Sequence, residues 1–273
     1  MTLELPDIGL GTYRMTDRDE CVRAVETALD AGYRHVDTAQ MYDNESFVGE
    51  GLANAFDAGG SRDDVVVATK LDTDNTGYDD AVSTARESRE RLGLDVVDLL
   101  YVHWPLEAYD PDETLPALDD LVDDGVVREI GLSNFLPSQL DAAIDRLDHD
   151  LFAHQVEMHP LLQQRELHEL AKEHDHYLVA YCPIARNQVA DVDVLQEVAD
   201  AHDATPAQVS LAWLASKENV VPIPKASSPD HIRENIAAMD LELAPAEVER
   251  IDALDGEVEE RIVDFPSAPW NQA

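Results

Sequence analysis

The strongest constraint on this chain is a repeated alternation of two kinds of segment. Short apolar runs rich in β-branched residues occur at Tyr33–Thr38, Val65–Lys70, Val97–His103, Glu129–Ser133, Gln155–His159, Tyr177–Pro183 and Val220–Pro224, with a weaker eighth at Met239–Leu243. Between them lie stretches with helical apolar spacing: Asp19–Ala31, Glu45–Ala58, Asp79–Leu92, Glu113–Asp124, Ser138–Leu147, Arg165–His174, Val192–His202, Pro206–Lys217, Pro229–Ala237 and Ala246–Leu254. Strands separated by helices run parallel, because a crossover helix returns the chain to the end where it started. Over 273 residues with no low-complexity linker, the pattern predicts one domain, residues 1–273, folded as an α/β (β/α)8 TIM barrel. Leu3–Met15 alternates around Gly9 and Gly11 and reads as a short N-terminal β-hairpin before the barrel. The rival fold is an open dinucleotide-binding sheet, which needs Gly-x-Gly-x-x-Gly leading into a helix. Gly9-Leu10-Gly11 lacks the third glycine and the helix.

Local signals support these boundaries. Gly32 follows the first helical stretch, where glycine commonly ends a helix. Thr205-Pro206 and Ser228-Pro229 each place a capping hydroxyl before a proline at the first helical position.

Charge narrows the setting. The net charge is −39, from 58 Asp and Glu against 19 Lys and Arg. Such a surface repels itself at ordinary ionic strength, and molar salt removes most of that repulsion. It is read as an adaptation to a salt-rich, halophilic cytoplasm. It also opposes binding to nucleic acid, whose phosphates it repels. No apolar run approaches a membrane span, and no basic-then-apolar leader opens the chain. Cys21 and Cys182 form neither a metal spacing nor a disulfide framework. A cytoplasmic monomer without membrane partners is expected.

In a barrel of this kind the strand C-termini converge on one mouth. Asp37, Tyr42, Lys70 and His103 all fall at or just past such ends. Each has an ordinary explanation alone: a turn-capping carboxylate, a surface phenol, a snorkelling lysine, a satisfied core histidine. Together they form a proton-delivery group. A phenol gives up its proton reluctantly, a nearby ammonium lowers its pKa, a carboxylate can hold that ammonium, and an imidazole can orient a carbonyl. Metal-dependent hydrolysis is excluded, since His103 and His159 come with no ligand cluster.

The motifs around these residues resemble the aldo-keto reductase family. Gly32-Tyr33-Arg34-His35-Val36-Asp37-Thr38-Ala39, with Tyr42, Asn44-Glu45 and Val48-Gly49-Glu50, is similar to that family's first signature. Leu99–Pro105, Glu129–Phe135, Gln155–Pro160, Ala180–Ile184 and Ile223-Pro224-Lys225 with Glu234-Asn235 resemble its later strands and its cofactor segment. The likeness runs from about residue 3 to 270, and bacterial 2,5-diketo-gluconate reductases share it. It implies NADP(H)-dependent reduction of an aldehyde or ketone, with catalytic Asp37, Tyr42, Lys70 and His103.

The resemblance further implies carboxamide contacts from Ser133, Asn134 and Gln155 and a ring stack from Tyr181. Other cofactor contacts fall on Gly11, Thr12, Tyr13, Pro183 and Ile184. Lys225 and Ser228 are assigned to a 2′-phosphate, and Glu234 and Asn235 to adenine. Ala226 and His231 depart from the pattern and leave NAD(H) use open. Tyr13, Trp104 and His103 are the substrate residues. Asp72–Tyr78 reads either as a polar wall or as one more acidic solvent-facing loop, and the short loop after His103 and the short tail predict an open site. The substrate is a small carbonyl compound. The competing non-enzymatic reading is a nicotinamide-binding redox sensor or accessory subunit without turnover.

Overall fold

A computed structural model describes residues 3–255 and 260–272. Eight parallel strands lie side by side in chain order. They are β1 (Leu10–Gly11), β2 (His35–Asp37), β3 (Val66–Leu71), β4 (Val97–Val102), β5 (Val127–Ser133), β6 (Leu151–Glu157), β7 (Tyr177–Tyr181) and β8 (Val220–Pro222). The helices α1 (Arg18–Ala31), α2 (Glu45–Asp57), α3 (Tyr78–Leu92), α4 (Pro111–Asp123), α5 (Pro137–Ile144) and α6 (Arg165–Glu173) each follow one strand. Two, α7 (Asp193–Ala201) and α8 (Pro206–Ala215), follow β7, and α9 (Pro229–Ala237) and α10 (Pro245–Asp252) follow β8. The (β/α)8 barrel expected from the alternation is present. No helix among the described residues is long and apolar enough to cross a membrane.

Two expectations fail together. No hairpin forms over the described part of Leu3–Met15. Leu10 and Gly11 pair in parallel with Val36 and Asp37 instead, so this segment is the first barrel strand. Met239–Leu243 is not the eighth strand, because Ala238–Asp240 is a 3-10 turn. The ring closes between β1 and the end of β8, where the Gly9 and Gly11 amides donate to the Pro222 and Pro224 carbonyls at 3.0 and 3.1 Å. Neither proline has an N–H of its own to donate across the seam. A Cβ on Gly9 would lie 2.3 Å from the His35 ring, and one on Gly11 would lie 2.9 Å from the Ile223 carbonyl oxygen. Only glycine permits that approach.

Strand parity sorts the side chains, because successive residues face opposite sides. Val66 and Ala68 of β3, Leu99 and Tyr101 of β4, Ala153 of β6, Val179 of β7, Val221 of β8 and Ile223 just past it fill the barrel interior. Val67, Leu71, Leu100, Val102, Ile130, Leu132, Leu178 and Ala180 face the helices. Continued to the strand ends, the inward rows carry Asp37, Lys70, Ser133, Gln155 and Tyr181.

Helix ends follow their capping residues. The Asp17 side chain accepts the Glu20 amide at the start of α1, and Gly32 ends it at φ 108°. Thr205 and Gln208 form a reciprocal capping box on α8. Ser228 accepts the His231 amide at the start of α9.

Candidate active site

Lys70 ends the inward row of β3 with no solvent exposure. Its ammonium donates to Asp37 Oδ1 at 2.5 Å and to the Thr38 carbonyl at 2.9 Å. Asp37 ends β2 and is 2% exposed. Its other oxygen accepts from Gln155 Nε2 at 2.8 Å. A buried carboxylate and a buried ammonium therefore satisfy each other, as burial of either requires. Burial lowers the Lys70 pKa and Asp37 opposes that.

Tyr42 sits on the one-turn helix Gln40–Tyr42 between β2 and α2. That turn is tied down on both sides. Asn44, fully buried, donates to the Thr12 carbonyl at 2.9 Å and accepts from Thr38 Oγ1 at 2.7 Å. Gln40 Oε1 accepts from the Asp72 amide and Asn75 Nδ2 at 2.9 and 3.0 Å. The Tyr42 ring lies 5.3 Å from Lys70 Nζ, 5.7 Å from the His103 ring and 5.2 Å from the Tyr13 ring. The four strand-end residues thus converge as expected. The electrostatics differ from expectation. Burial first, then Asp37, holds the Tyr42 phenol well above its ordinary range, so its proton is retained. Burial, with Lys70 beside it, holds His103 well below the ordinary imidazole range, so the ring is neutral.

Asp37, Tyr42, His103 and Tyr13, but not Lys70 itself, border a cavity of about 660 Å³, inside the size range of small-molecule sites. Gly11, Tyr13, Trp104, Ser133 and Gln155 line it, as do Tyr181, Pro183, Ile184 and Lys225. Thr12, Asn134, Ser228, Glu234 and Asn235 do not. Thr12 Oγ1 donates to the Asp37 carbonyl, and Asn134 joins the His103 carbonyl, Ser133 and Tyr181. From Asp72–Tyr78 only Thr73 lines the cavity, so the polar wall expected there is a single threonine. The site is also less open than expected. Buried Glu157 accepts the Ile262 and Val263 amides, which turns the tail back across the mouth. There Phe265 and Trp270 pack on Trp104 at centroid distances of 5.0 and 5.7 Å.

The aldo/keto reductase family profile matches residues 7–256. The chain belongs to the aldo/keto reductase family. It is therefore an oxidoreductase of carbonyl compounds, and the family works with nicotinamide cofactors. A 9,11-endoperoxide prostaglandin H2 reductase of Trypanosoma cruzi is 37% identical over 257 residues, covering 93% of this chain and 89% of that protein. A methylglyoxal reductase, DkgB, of Salmonella typhi is 37% identical over 256 residues, covering 93% and 94%. The crystal structure of a Bombyx mori aldo-keto reductase in complex with NADP superposes with a TM-score of 0.87 at 30% identity, covering 96% of this chain and 92% of that one.

The donor set of the cavity fits a nicotinamide dinucleotide. Ser133 and Gln155 offer hydroxyl and amide groups on one wall, Tyr181 a ring, and Lys225 a cation. Sequence reasoning missed several cavity residues, among them Met41, Cys182, Phe265, Arg14 and Arg186. The signal available for the arginines was the scarcity of cations, 19 in the whole chain.

Proposed function

We propose that the protein reduces an aldehyde or ketone to an alcohol by hydride transfer, with NADPH as reductant and Tyr42 as general acid. The observation that carries this reading is the buried Asp37–Lys70 pair next to Tyr42 and His103 on the cavity wall. Reduced nicotinamide, when bound, supplies the hydride to the carbonyl carbon. Tyr42 then delivers its phenolic proton to the carbonyl oxygen as that oxygen gains negative charge. The high phenol pKa keeps the proton in place until a stronger base, the developing alkoxide, is present. His103 acts as a neutral imidazole and donates an N–H to the same oxygen, which fixes its position. Lys70 places a positive charge beside the phenol as it deprotonates. Trp104, Met41 and Phe265 supply apolar wall that keeps water from the reacting atoms.

Lys225 is exposed, with Ser227 at 3.4 Å, close to the N-terminus of α9. A cation and a helix N-terminus together favour a phosphate. This supports NADP(H), as does the NADP complex of the Bombyx mori relative. Exposed His231 lacks the planar guanidinium fork that suits a phosphate, so NADH is tested alongside NADPH. The methylglyoxal reductase among the relatives favours a small aldehyde or dicarbonyl.

The deciding experiment follows NADPH and NADH oxidation in molar KCl with methylglyoxal, simple aldehydes, keto acids and keto-sugars. Turnover on one class with NADPH preferred is expected. Tight dinucleotide binding with no turnover on any of them would replace the enzyme reading with a sensor or accessory role.

A further inference from the structure

Lys70 holds a charge where water cannot reach it. An ammonium has three donors, and hydrogen bonds to Asp37 and Thr38 use two. The neighbouring surface is aromatic. Nζ lies 5.3 Å from the Tyr42 ring centroid and 5.8 Å from that of Tyr101. Both fall within the ~6 Å reach of a cation–π contact. Tyr42 already has a part in the proposed reaction, and Tyr101 has none.

The barrel is arranged to admit the Tyr101 ring at this level. Tyr101 is directly opposite Lys70 in the β3–β4 register and shares its inward face. The next residues along the same row are Gly131 on β5 and Ala153 on β6. A Cβ on Gly131 would lie 2.3 Å from the Tyr101 ring, so the ring occupies room that a side chain would take. Tyr101 is fully buried. Its hydroxyl lies toward Gln155 without closing an ordinary hydrogen bond, and Gln155 in turn holds Asp37.

We propose that Tyr101 is a positioning residue whose ring, with that of Tyr42, encloses the Lys70 ammonium and keeps it charged between Asp37 and Tyr42. This rests on the proposed role of Lys70 beside the general acid. The titratable groups facing Lys70 are His35 and Asp37 from β2, Tyr42 from the turn after it, and Tyr101 and His103 from β4 and its end. Asp37 alone carries an opposite charge. Against full burial, the negative face of a ring adds to the field of the Asp37 carboxylate and the Thr38 carbonyl.

The chain has four lysines, and the side chains of Lys172, Lys217 and Lys225 all reach solvent. In protein carrying 13C-labelled lysine, the ε-carbon resonance of Lys70 therefore reports its protonation without any need for turnover. Tyr101→Leu is expected to lower the Lys70 midpoint by about one pH unit. The upper pH limb of kcat for carbonyl reduction should fall with it, while the dissociation constant for NADPH stays within twofold. Tyr101→Phe should restore both. Tyr101→Met serves where the leucine variant fails to fold. An unmoved midpoint in the leucine or methionine variant overturns the proposal. So does a shift in Tyr101→Phe as large as in Tyr101→Leu. A wild-type protein without carbonyl turnover would sink the reductase reading, and the Lys70 titration would still decide the role of Tyr101.

Discussion

Lys70 and Asp37 show what single residues contribute here and what can be tested on them. Each is tolerable in the interior only because of the other, and loss of one partner from such a pair costs about 3–5 kcal/mol. Substitutions at either would mix unfolding with chemistry. Tyr42 is the cleaner probe. Tyr42→Phe keeps the ring beside Lys70 and Tyr13 and removes only the hydroxyl. Its kcat should fall by roughly 10²–10⁴-fold, the usual contribution of a general acid, with cofactor affinity and melting temperature nearly unchanged. Wild-type-like turnover would remove Tyr42 from the acid role. The four strand-end residues were legible because charged or polar side chains ending apolar strands have few structural reasons to be there. Tyr101 was not, because an aromatic inside an apolar run looks like any core residue. The engagement of Gln155 with Asp37 was not legible either. An amide offers both donors and an acceptor, so only the fold selects its partner.

Among the elements, those with capping chemistry or long apolar runs were legible, and the shortest ones were not. α8 and α9 begin at the Thr205-Pro206 and Ser228-Pro229 signals. β1 has two residues, and its identity as a strand comes from pairing with β2 and the end of β8, not from its own composition. β6 begins at Leu151, earlier than its apolar pattern implied, because a histidine interrupts it. That residue, His154, is fully buried near His176, with ring centroids 6.5 Å apart and all four ring nitrogens unpartnered. Burial, with each ring next to another histidine, lowers their pKa values to about 3 and about 4. In the unfolded chain both titrate near pH 6.5. Below that pH the unfolded state binds more protons than the native state. Stability is therefore intact above pH 6.5 and is lost as pH falls toward 4, by about 1.4 kcal/mol per pH unit for each histidine once well inside that window. Urea midpoints between pH 7 and 4 at fixed molar KCl should show this slope. His154→Leu should remove about half of it, and an unchanged slope would place the acid sensitivity elsewhere.

For the whole molecule, the excess of negative charge makes a prediction about stability. With 58 acidic side chains against 19 basic ones, most carboxylates have no cation to pair with. Exposed pairs such as Arg86–Asp124 contribute little individually. Raising KCl from 0.05 M to 2 M should raise the thermal midpoint steadily, as screening shortens to about 3 Å near 1 M. A flat profile would sink the halophilic reading. The seam between β1 and β8 has a different consequence at this scale. Gly11 and Lys225 come from opposite ends of the chain, bridge across that seam, and both border the cavity. A half-made ring has no such wall. A ligand that needs this wall therefore proofreads folding. Under the proposed function, a molecule whose ends have not met is blind to the dinucleotide, and one that has captured it is clasped shut by its own cargo.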